Sequence, residues 1–574
     1  MKQEKWFVQK LFMRFFIPAL FSSLGLAIGG VADCLYVGKM LSEEGLYIIG
    51  VASPIYMIYT TWSVAMAVGG SIHFSQALGE GDAKRGNQIF YSTIIFDFIG
   101  LCILTLLGML FLKPLVHMLG VASGSIFYAD TMHYVKLMLL CCPVLFMQAP
   151  LQYFVHADDD PKLASLALVM GCVFDCFSGY ILIVVNNCGV NGSVWATLIG
   201  AVVMEFICLL HFCTKKGCLK LKKPSGILPE IAGDSLKTGF ATSMQYFYKF
   251  VILLAFNRIL LKISGENAVA VYDISTNAAS LALAVIDAVI LAMIPLVSTF
   301  FGERNKEGIR SSFWISVVTG VCATAAISAV LMIFSKEFCG LVGLSQGLIA
   351  EGAFAVRMVV LSSVLACVNN VLAAYFQNID SERISYIIIF MREFAVLLVC
   401  GVLFSKGSYP MFWYTYLVTE AVVFVVTVAM IFVKKTVMKQ PLIQFEKGAV
   451  FSETFSGSCE KISEVCERLQ EFLEQEHASV KKAYLVTLAV DETCRLIAEN
   501  TDDLMLQLTL IVTGEEYVLH IRDNAGKFNP MEIDDEDEHG LGLKIVKKQA
   551  KEYYYRQFVG FNTLTMSIAK ENSV

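Results

Sequence analysis

Two sets of residues in this chain have the types and spacing to do chemistry. The first lies in the apolar stretch MRFFIPALFSSLGLAIGGVADCLYVGKM, residues 13–40, which holds one proline, Pro18, and one carboxylate, Asp33. A charged carboxylate at mid-bilayer costs roughly 2.5–3.5 kcal/mol on insertion scales, so by default it marks an ion or substrate pathway. Protonation would remove the charge and let its helix repack, and a proline invites a kink because it lacks a backbone donor. The competing reading is that Asp33 sits at the interface and is merely solvated, since YVGK follows at once. Further polar residues sit inside other apolar blocks: Asp97, Asp175 and Glu205 in the first half, and a larger group in the second. Of that group, Gln245, Lys249, Asp273, Asn277, Asn369 and Asn370 are candidates to line a substrate cavity. Asp287 with Lys249 or Arg357 would equally serve as a structural ion pair. Glu205 and Glu420 look peripheral. No metal site is expected, because Cys172 and Cys176 share a helix face without any histidine nearby.

The second set lies near the C-terminus. Glu492 falls on an amphipathic stretch, Asp523 ends a strand-like run, and HGLGLKIVKKQA (539–550) opens a helix with glycines. Backbone N–H groups at such a helix start can hold phosphate.

The elements that must position these residues are mostly membrane helices. The chain is 56% hydrophobic and 16% charged, against about 25% charged in soluble domains. Twelve apolar blocks are expected, at about 12–38, 48–74, 88–112, 132–155, 162–185, 192–214, 236–262, 268–298, 311–335, 350–376, 384–405 and 411–433. Lys and Arg gather in EGDAKRGNQ, TKKGCLKLKKPSG, GERNKEGIR and the exit KKTVMKQ, on one side of this topology. The positive-inside rule then places both termini in the cytoplasm of a multi-pass plasma-membrane protein. LGEGDAKR (78–85) matches FGERNKEG (301–308), and YFVHADD (153–159) matches YFQNIDS (375–381), at offsets of 223 and 222. Two matches at nearly one offset imply a parallel repeat of six-helix lobes, with binding expected between them. The division expected is an N-lobe over 1–214, a linker over 215–235, a C-lobe over 236–435, a linker over 436–455 and a soluble domain over 456–574. Helical stretches 461–476 and 481–500, a hairpin at 506–523 turning at Gly514-Glu515, and a closing strand at 562–569 make the last an α+β sandwich. The fold class is thus an all-α polytopic membrane protein with a C-terminal α+β domain.

The motifs LYVGKM with Asp33, SPIYM (53–57), LGEGD (78–82), Asp175 and GVNGSVWAT (189–197) resemble the multidrug and toxic compound extrusion (MATE) transporters over residues 10–435. The resemblance implies two lobes forming a V, rocker-switch alternating access, and export of organic cations or drugs driven by H⁺ or Na⁺, with no other cofactor. It implies that Asp33 bonds to polar groups of the fifth and sixth helices, with Asp175 and Thr197 as partners. Protonation would then be linked to bending at Pro18, fifteen residues before Asp33. The seventh block carries Gln245 and Lys249 where sodium-coupled relatives have a glutamate. The tail resembles GHKL-type ATP-binding domains of anti-sigma-factor and histidine kinases. That implies Glu492 as catalytic acid, Asp523 as reader of the adenine amino group, Gly526 near the first glycine position, and Gly540 and Gly542 as the phosphate-side glycine box. Leu496 stands where the family has its Mg²⁺-ligating asparagine, and a leucine offers a hard ion no oxygen. The resemblance implies ATP and Mg²⁺ at the tail, Leu496 departs from it, and the chain reads as a transporter rather than an enzyme. Expected partners are membrane lipid, a small organic cation or drug, and a cytoplasmic regulatory protein at the tail, with no nucleic acid. A lipid or lipid-linked glycan flippase, and a membrane sensor with serine-kinase output, are the competing classes.

Overall fold

The computed structural model describes residues 2–570, except 41–42, 120, 122–127, 215–217, 221–228, 343, 408, 440, 442, 444–447, 500–503, 527, 533–540 and 559–560. For 2–5, 28–40, 43–44, 46–47, 266, 541 and 556–558 it describes the backbone alone.

Six long helices build the first lobe: α1 (Lys2–Met40), α2 (Glu43–Gly79), α3 (Ala83–Leu110), α4 (Tyr128–Leu145, continued by Gln148–Ala157), α5 (Pro161–Gly179) and α6 (Asn191–Leu209). Six more build the second: α7 (Pro229–Ser264), α8 (Glu266–Gly302), α9 (Lys306–Ile333), α10 (Ile349–Asn378), α11 (Glu382–Phe390, passing through the π-helical turn Met391–Ala395 into Val396–Phe404) and α12 (Thr415–Phe432). Among the described residues, eleven stretches are long and apolar enough to cross a membrane. The twelfth helix, α7, is 36 residues long but carries Lys237, Lys249, Arg258 and Lys262, which lower its hydropathy. At 1.5 Å per residue, α2, α7 and α8 are each more than about 50 Å long, well beyond a hydrocarbon core of about 30 Å. Their surplus turns carry structure out to the tail.

The repeat is visible in backbone detail. The connectors after α2 and α8 place Gly81 and Arg304 at φ of +84° and +55°. The next residues cap α3 and α9 alike: Asp82 accepts from Arg85 N and Asn305 from Gly308 N, each at 2.8 Å. π-helical turns recur after α5 (Tyr180–Val185) and within α11.

Apolar packing is unequal along the helices. On the tail side one core joins the lobes, with Phe12, Phe15 and Ala19 of α1 against Val289, Met293 and Val297 of α8 and Val371 of α10. On the far side, among the described residues, each lobe packs upon itself, around Ile55, Tyr59 and Met138 in one and Phe256, Tyr272 and Phe412 in the other. Glycines set the closeness of the tail side. A Cβ on Gly69 would lie 1.8 Å from Ser235 O, and one on Gly79 would lie 2.1 Å from Thr299 O. The lobes therefore touch backbone to backbone at one end and diverge at the other.

The tail is a five-stranded antiparallel sheet of order β1-β2-β3-β5-β4, with β1 Ala449–Ser456, β2 Met505–Val512, β3 Glu516–Asp523, β4 Glu552–Phe558 and β5 Phe561–Ala569. Helices α13 (Cys459–Gln475), α14 (Val480–Glu499) and α15 (Leu541–Gln549) cover one face. Leu506, Leu508, Leu519, Ile521, Leu564 and Met566 point into that core with Leu469, Val486 and Val490. Period-two alternation sends Gln507, Thr509, His520, Arg522, Thr563 and Thr565 to the other face. All six are buried, because this face is pressed against the transporter.

Two expectations change here. The linker expected over 436–455 ends in edge strand β1, whose half-buried residues carry too little apolar pattern to announce a strand. The interlobe linker is shorter than expected, since α7 already starts at Pro229.

Candidate substrate cleft and nucleotide site

Between the diverging ends lies a cleft. Lys249, Asp273 and Asp287 are exposed although they lie within long helices, and because charges facing hydrocarbon are costly, they are read as lining space that water can enter. Asp287 is in electrostatic reach of Lys249 and Arg392 from its own lobe and faces Tyr153 from the other. Tyr246 stands near Tyr153, Asp287 and Tyr56, and the Lys249 ammonium sits 6.0 Å above the Tyr246 ring. Asn277 reaches Asp273 weakly, at 3.5 Å, and Gln245 is half-buried beside Tyr246. Aromatic faces and carboxylates together suit an organic cation.

The N-lobe side is organised by α5 and α6. A Cβ on Gly200 would come within 2.9 Å of Asp175 Cβ, so the two helices meet at that acid. The Ser178 hydroxyl donates to Phe174 O of its own helix at 2.6 Å and lies 3.4 Å from Ala196 O of α6. Thr197 is one turn from Gly200 and donates to Ser193 O at 3.1 Å. Asp175 also lies in electrostatic reach of Tyr56. The Asp33 side chain lies outside the described residues. Pro18 is half-buried in an unbroken α1, between Phe15 and Ala19 of the shared core.

Asn369 and Asn370 do not line the cleft together. Asn369 is fully buried and donates to Glu420 O and Oε2 at 3.0 and 2.7 Å. Asn370 accepts from Arg392 at 3.1 Å. Arg392 in turn donates to Glu420 at 2.7 Å and pairs with Glu393. Glu420, which looked peripheral in the sequence, is thus the centre of a buried charge network. Arg357 belongs elsewhere, donating to Met332 O and Ser335 Oγ.

In the tail, Asp523 is buried at the end of β3. Its Oδ1 accepts from Asn562 at 2.7 Å and from Ala525 N at 2.9 Å, and Asn562 also holds Gly526 O at 2.9 Å. Burial pushes the Asp523 carboxyl up to about 6, against the pull of those two donors. Glu492 on α14 reaches the start of α15, where a Cβ on Gly542 would lie 2.4 Å from its carboxyl carbon. The helix acid and the glycine box are therefore adjacent. Gly526 is exposed in the loop after Asp523, and Gly540 lies outside the described residues.

Comparison with known families assigns both parts. The MatE model matches residues 18–181 and again 238–403. This chain belongs to the MatE family. The double match reproduces the internal repeat. Residues 455–568 match the histidine kinase-like ATPase domain. Similar proteins include "Multidrug export protein MepA" of Staphylococcus saprophyticus, 21% identical over 63% of this chain and 80% of the relative. Another is "Probable multidrug resistance protein YoeA" of Bacillus subtilis, 20% identical over 59% of this chain and 74% of that protein. A solved structure described as the outward-facing conformation of a multidrug resistance MATE family transporter superposes with TM-score 0.71. It is 19% identical and covers 75% of this chain and 97% of that one.

In this MatE chain, three tyrosines that the sequence did not single out lie near Asp287. Tyr56, Tyr153 and Tyr246 converge from three helices, yet a tyrosine in an apolar block looks like core. The usable signal was position: Tyr56 lies in SPIYM and Tyr153 in the repeated YF motif. The ATPase-like domain fits a nucleotide only in part. Asp523 is a buried acceptor at the strand end, and the absence of a side chain at Gly542 is what lets the Glu492 carboxyl reach the start of α15. Leu496, however, is packed against the tail's apolar core, so the metal position of the fold is filled by hydrocarbon. No step is derived through Mg²⁺.

The shift at Asp523 predicts a pH-dependent stability. A carboxyl raised from 3.8 to about 6 binds its proton more tightly folded than unfolded. The tail is therefore destabilised as pH rises through 6, by about 3 kcal/mol at most. Asp523→Asn is expected to raise the tail's resistance to pulse proteolysis in the full chain at pH 8. The gain should shrink to nothing near pH 4, while binding of a fluorescent ATP analogue weakens.

Proposed function

We propose that this MatE chain exports organic cations across the plasma membrane by rocker-switch exchange of its two lobes, driven by an H⁺ or Na⁺ gradient. Both termini are then cytoplasmic, and the ATPase-like tail is a regulatory nucleotide-binding module without kinase turnover. The observation that carries the reading is the cleft: Asp287 with Tyr153 and Tyr246, open on the side away from the tail. Similarity to proteins described as multidrug export proteins supports the substrate class. The acid-to-glycine adjacency of Glu492 and Gly542 supports nucleotide binding, and Leu496 argues against metal-assisted transfer.

In the mechanism, a desolvated cation is met by carboxylate and aromatic faces from both lobes. Ion coupling is assigned to Asp33, with Asp175 and Thr197 on the adjoining α5 and α6 faces. Loading Asp33 with a proton removes a charge from α1, which runs into the shared tail-side core around Pro18. The test is the full chain in liposomes, with H⁺ and Na⁺ gradients imposed separately and ethidium as the transported dye. One gradient should drive dye efflux, and Asp33→Asn should abolish that gradient dependence. Equal gradient-driven transport by Asp33→Asn would remove the coupling assignment, and flux of lipid without dye would remove the substrate class.

A further inference from the structure

The second face of the tail's sheet is polar and yet buried, and its partners come from both lobes. On the C-lobe side Arg522 pairs with Glu303 in the connector after α8, Nη2 to Oε1 at 2.5 Å, with both side chains about 3% exposed or less. Gln507 and Thr563 complete the guanidinium's bonds at 2.9 and 3.2 Å, and Arg522 lies 5.3 Å over the Phe300 ring. On the N-lobe side the repeat-related connector after α2 meets the same sheet. A Cβ on Gly81 would lie 2.6 Å from Thr565 Cγ2, and Lys84 pairs with Glu552 of β4 at 2.5 Å. Phe7 of α1 packs on Phe561 of β5, with ring centroids 4.4 Å apart. Tyr554 hydrogen-bonds Cys218 of the interlobe linker at 2.9 Å.

These two connectors lie at the closed end of the transporter. Gly79 packs on Thr299 and Gly302 on Gln76 there, and Gln76 of α2 donates to Asp380 of the C-lobe at 3.0 Å. Opening that end must draw the α2 connector away from the α8 connector. A hydrogen-bonded five-stranded sheet cannot stretch to follow both.

We propose that the buried polar face of the tail sheet is a clamp on alternating access: it holds the two lobes together on the tail side and must leave one of them before that side opens. The clamp is suited to release. A polar cavity of about 510 Å³ runs beside it, where Glu516 of the tail faces Glu80, Asp82, Asp234 and Asp380 of the transporter. Glu516 is held by Lys551 of the tail at 3.3 Å and Glu80 by Arg85 of its own connector at 3.3 Å, so these carboxylates are paired within their own side and contribute little adhesion across the seam. The inference rests on the rocker exchange proposed above.

The test uses the full chain in nanodiscs, with hydrogen exchange and dye transport measured in parallel. Glu303→Gln and Arg522→Gln each remove one charge of the pair and should raise exchange at residues 301–305 and in β3 about tenfold, the usual weight of a charge-assisted bond. Exchange in the core of α14 should stay unchanged, which separates undocking from unfolding. Dye efflux should fall severalfold, because the state with the tail side closed is depopulated, and the swapped pair E303R/R522E should return both readouts toward native. Unchanged exchange at 301–305 in both single variants would overturn the clamp. So would lost efflux that the swap does not restore, because the pair would then serve folding alone. A chain that moves no dye would fail as an exporter while the exchange result still decides the clamp.

Discussion

Gly79→Val and Gly302→Val are each expected to leave a chain that inserts and folds but exports at least about tenfold more slowly. A Cβ at Gly79 would sit 2.1 Å from Thr299 O, and one at Gly302 would sit 2.2 Å from Gln76 O. Both obstacles are backbone, so no rotamer change relieves them. Strain of roughly 1–3 kcal/mol, typical of overpacking, falls on the conformation with the tail side closed and spares the one with it open. The population shifts accordingly, away from the state whose cleft opens on the far side. Ethidium efflux from liposomes measures the loss. Gly340→Val is the control, since nothing lies within 4 Å of a Cβ there. Native rates for both connector variants would show that the lobes close by another contact.

Arg392→Met should cost the C-lobe about 3–5 kcal/mol, the range for breaking one side of a buried ion pair. The arginine is the shared partner of Glu420 and Glu393, and the asparagines Asn369 and Asn370 bond to the same cluster. Without it two carboxylates remain buried with amides alone for company. Thermal unfolding of detergent-purified protein, followed by size-exclusion chromatography, should show a midpoint many degrees lower. Adding Glu420→Gln should recover part of the loss by removing one stranded charge. An unchanged midpoint for Arg392→Met would mean that water reaches the cluster and screens it.

The sequence made the lobes legible because their organisation is periodic and repeated. Apolar blocks show most of the spans, and the Gly-Glu connectors show the pseudo-symmetry that the caps Asp82 and Asn305 express in three dimensions. α7 is the instructive block: its lysines and arginine dilute its hydropathy, yet its place in the repeat marks it as a membrane helix. In the tail, the hairpin and three helices were readable from period and glycine. Strands β1 and β4 were not, because β1 is half-exposed and β4 is the run of tyrosines and charges at 552–558. Exposed polar groups within the spans were legible where polarity is rare, as with Lys249, whereas Asp287 was read only as a possible ion-pair partner. Asn369 and Glu420 show the limit. Polarity inside a membrane says that a partner exists, and only the packing of α10 on α12 says that the partner is another buried side chain.

Arg522 and Asp523 are consecutive residues of one strand, and pleating turns them to opposite faces. Arg522 holds the transporter's Glu303, while Asp523 turns to the helix-covered side, where Asn562 and Ala525 N donate to it. Their cross-strand partners, Thr563 and Asn562, are likewise neighbours on β5. Coupling between two sites is reciprocal by thermodynamic necessity. If a nucleotide on the Asp523 side loosens the grip on Glu303, then pulling that grip apart must strengthen nucleotide binding by the same factor. The pump would then be an input to its own tail, and each excursion of the lobes would be written into the occupancy of a site about one residue away.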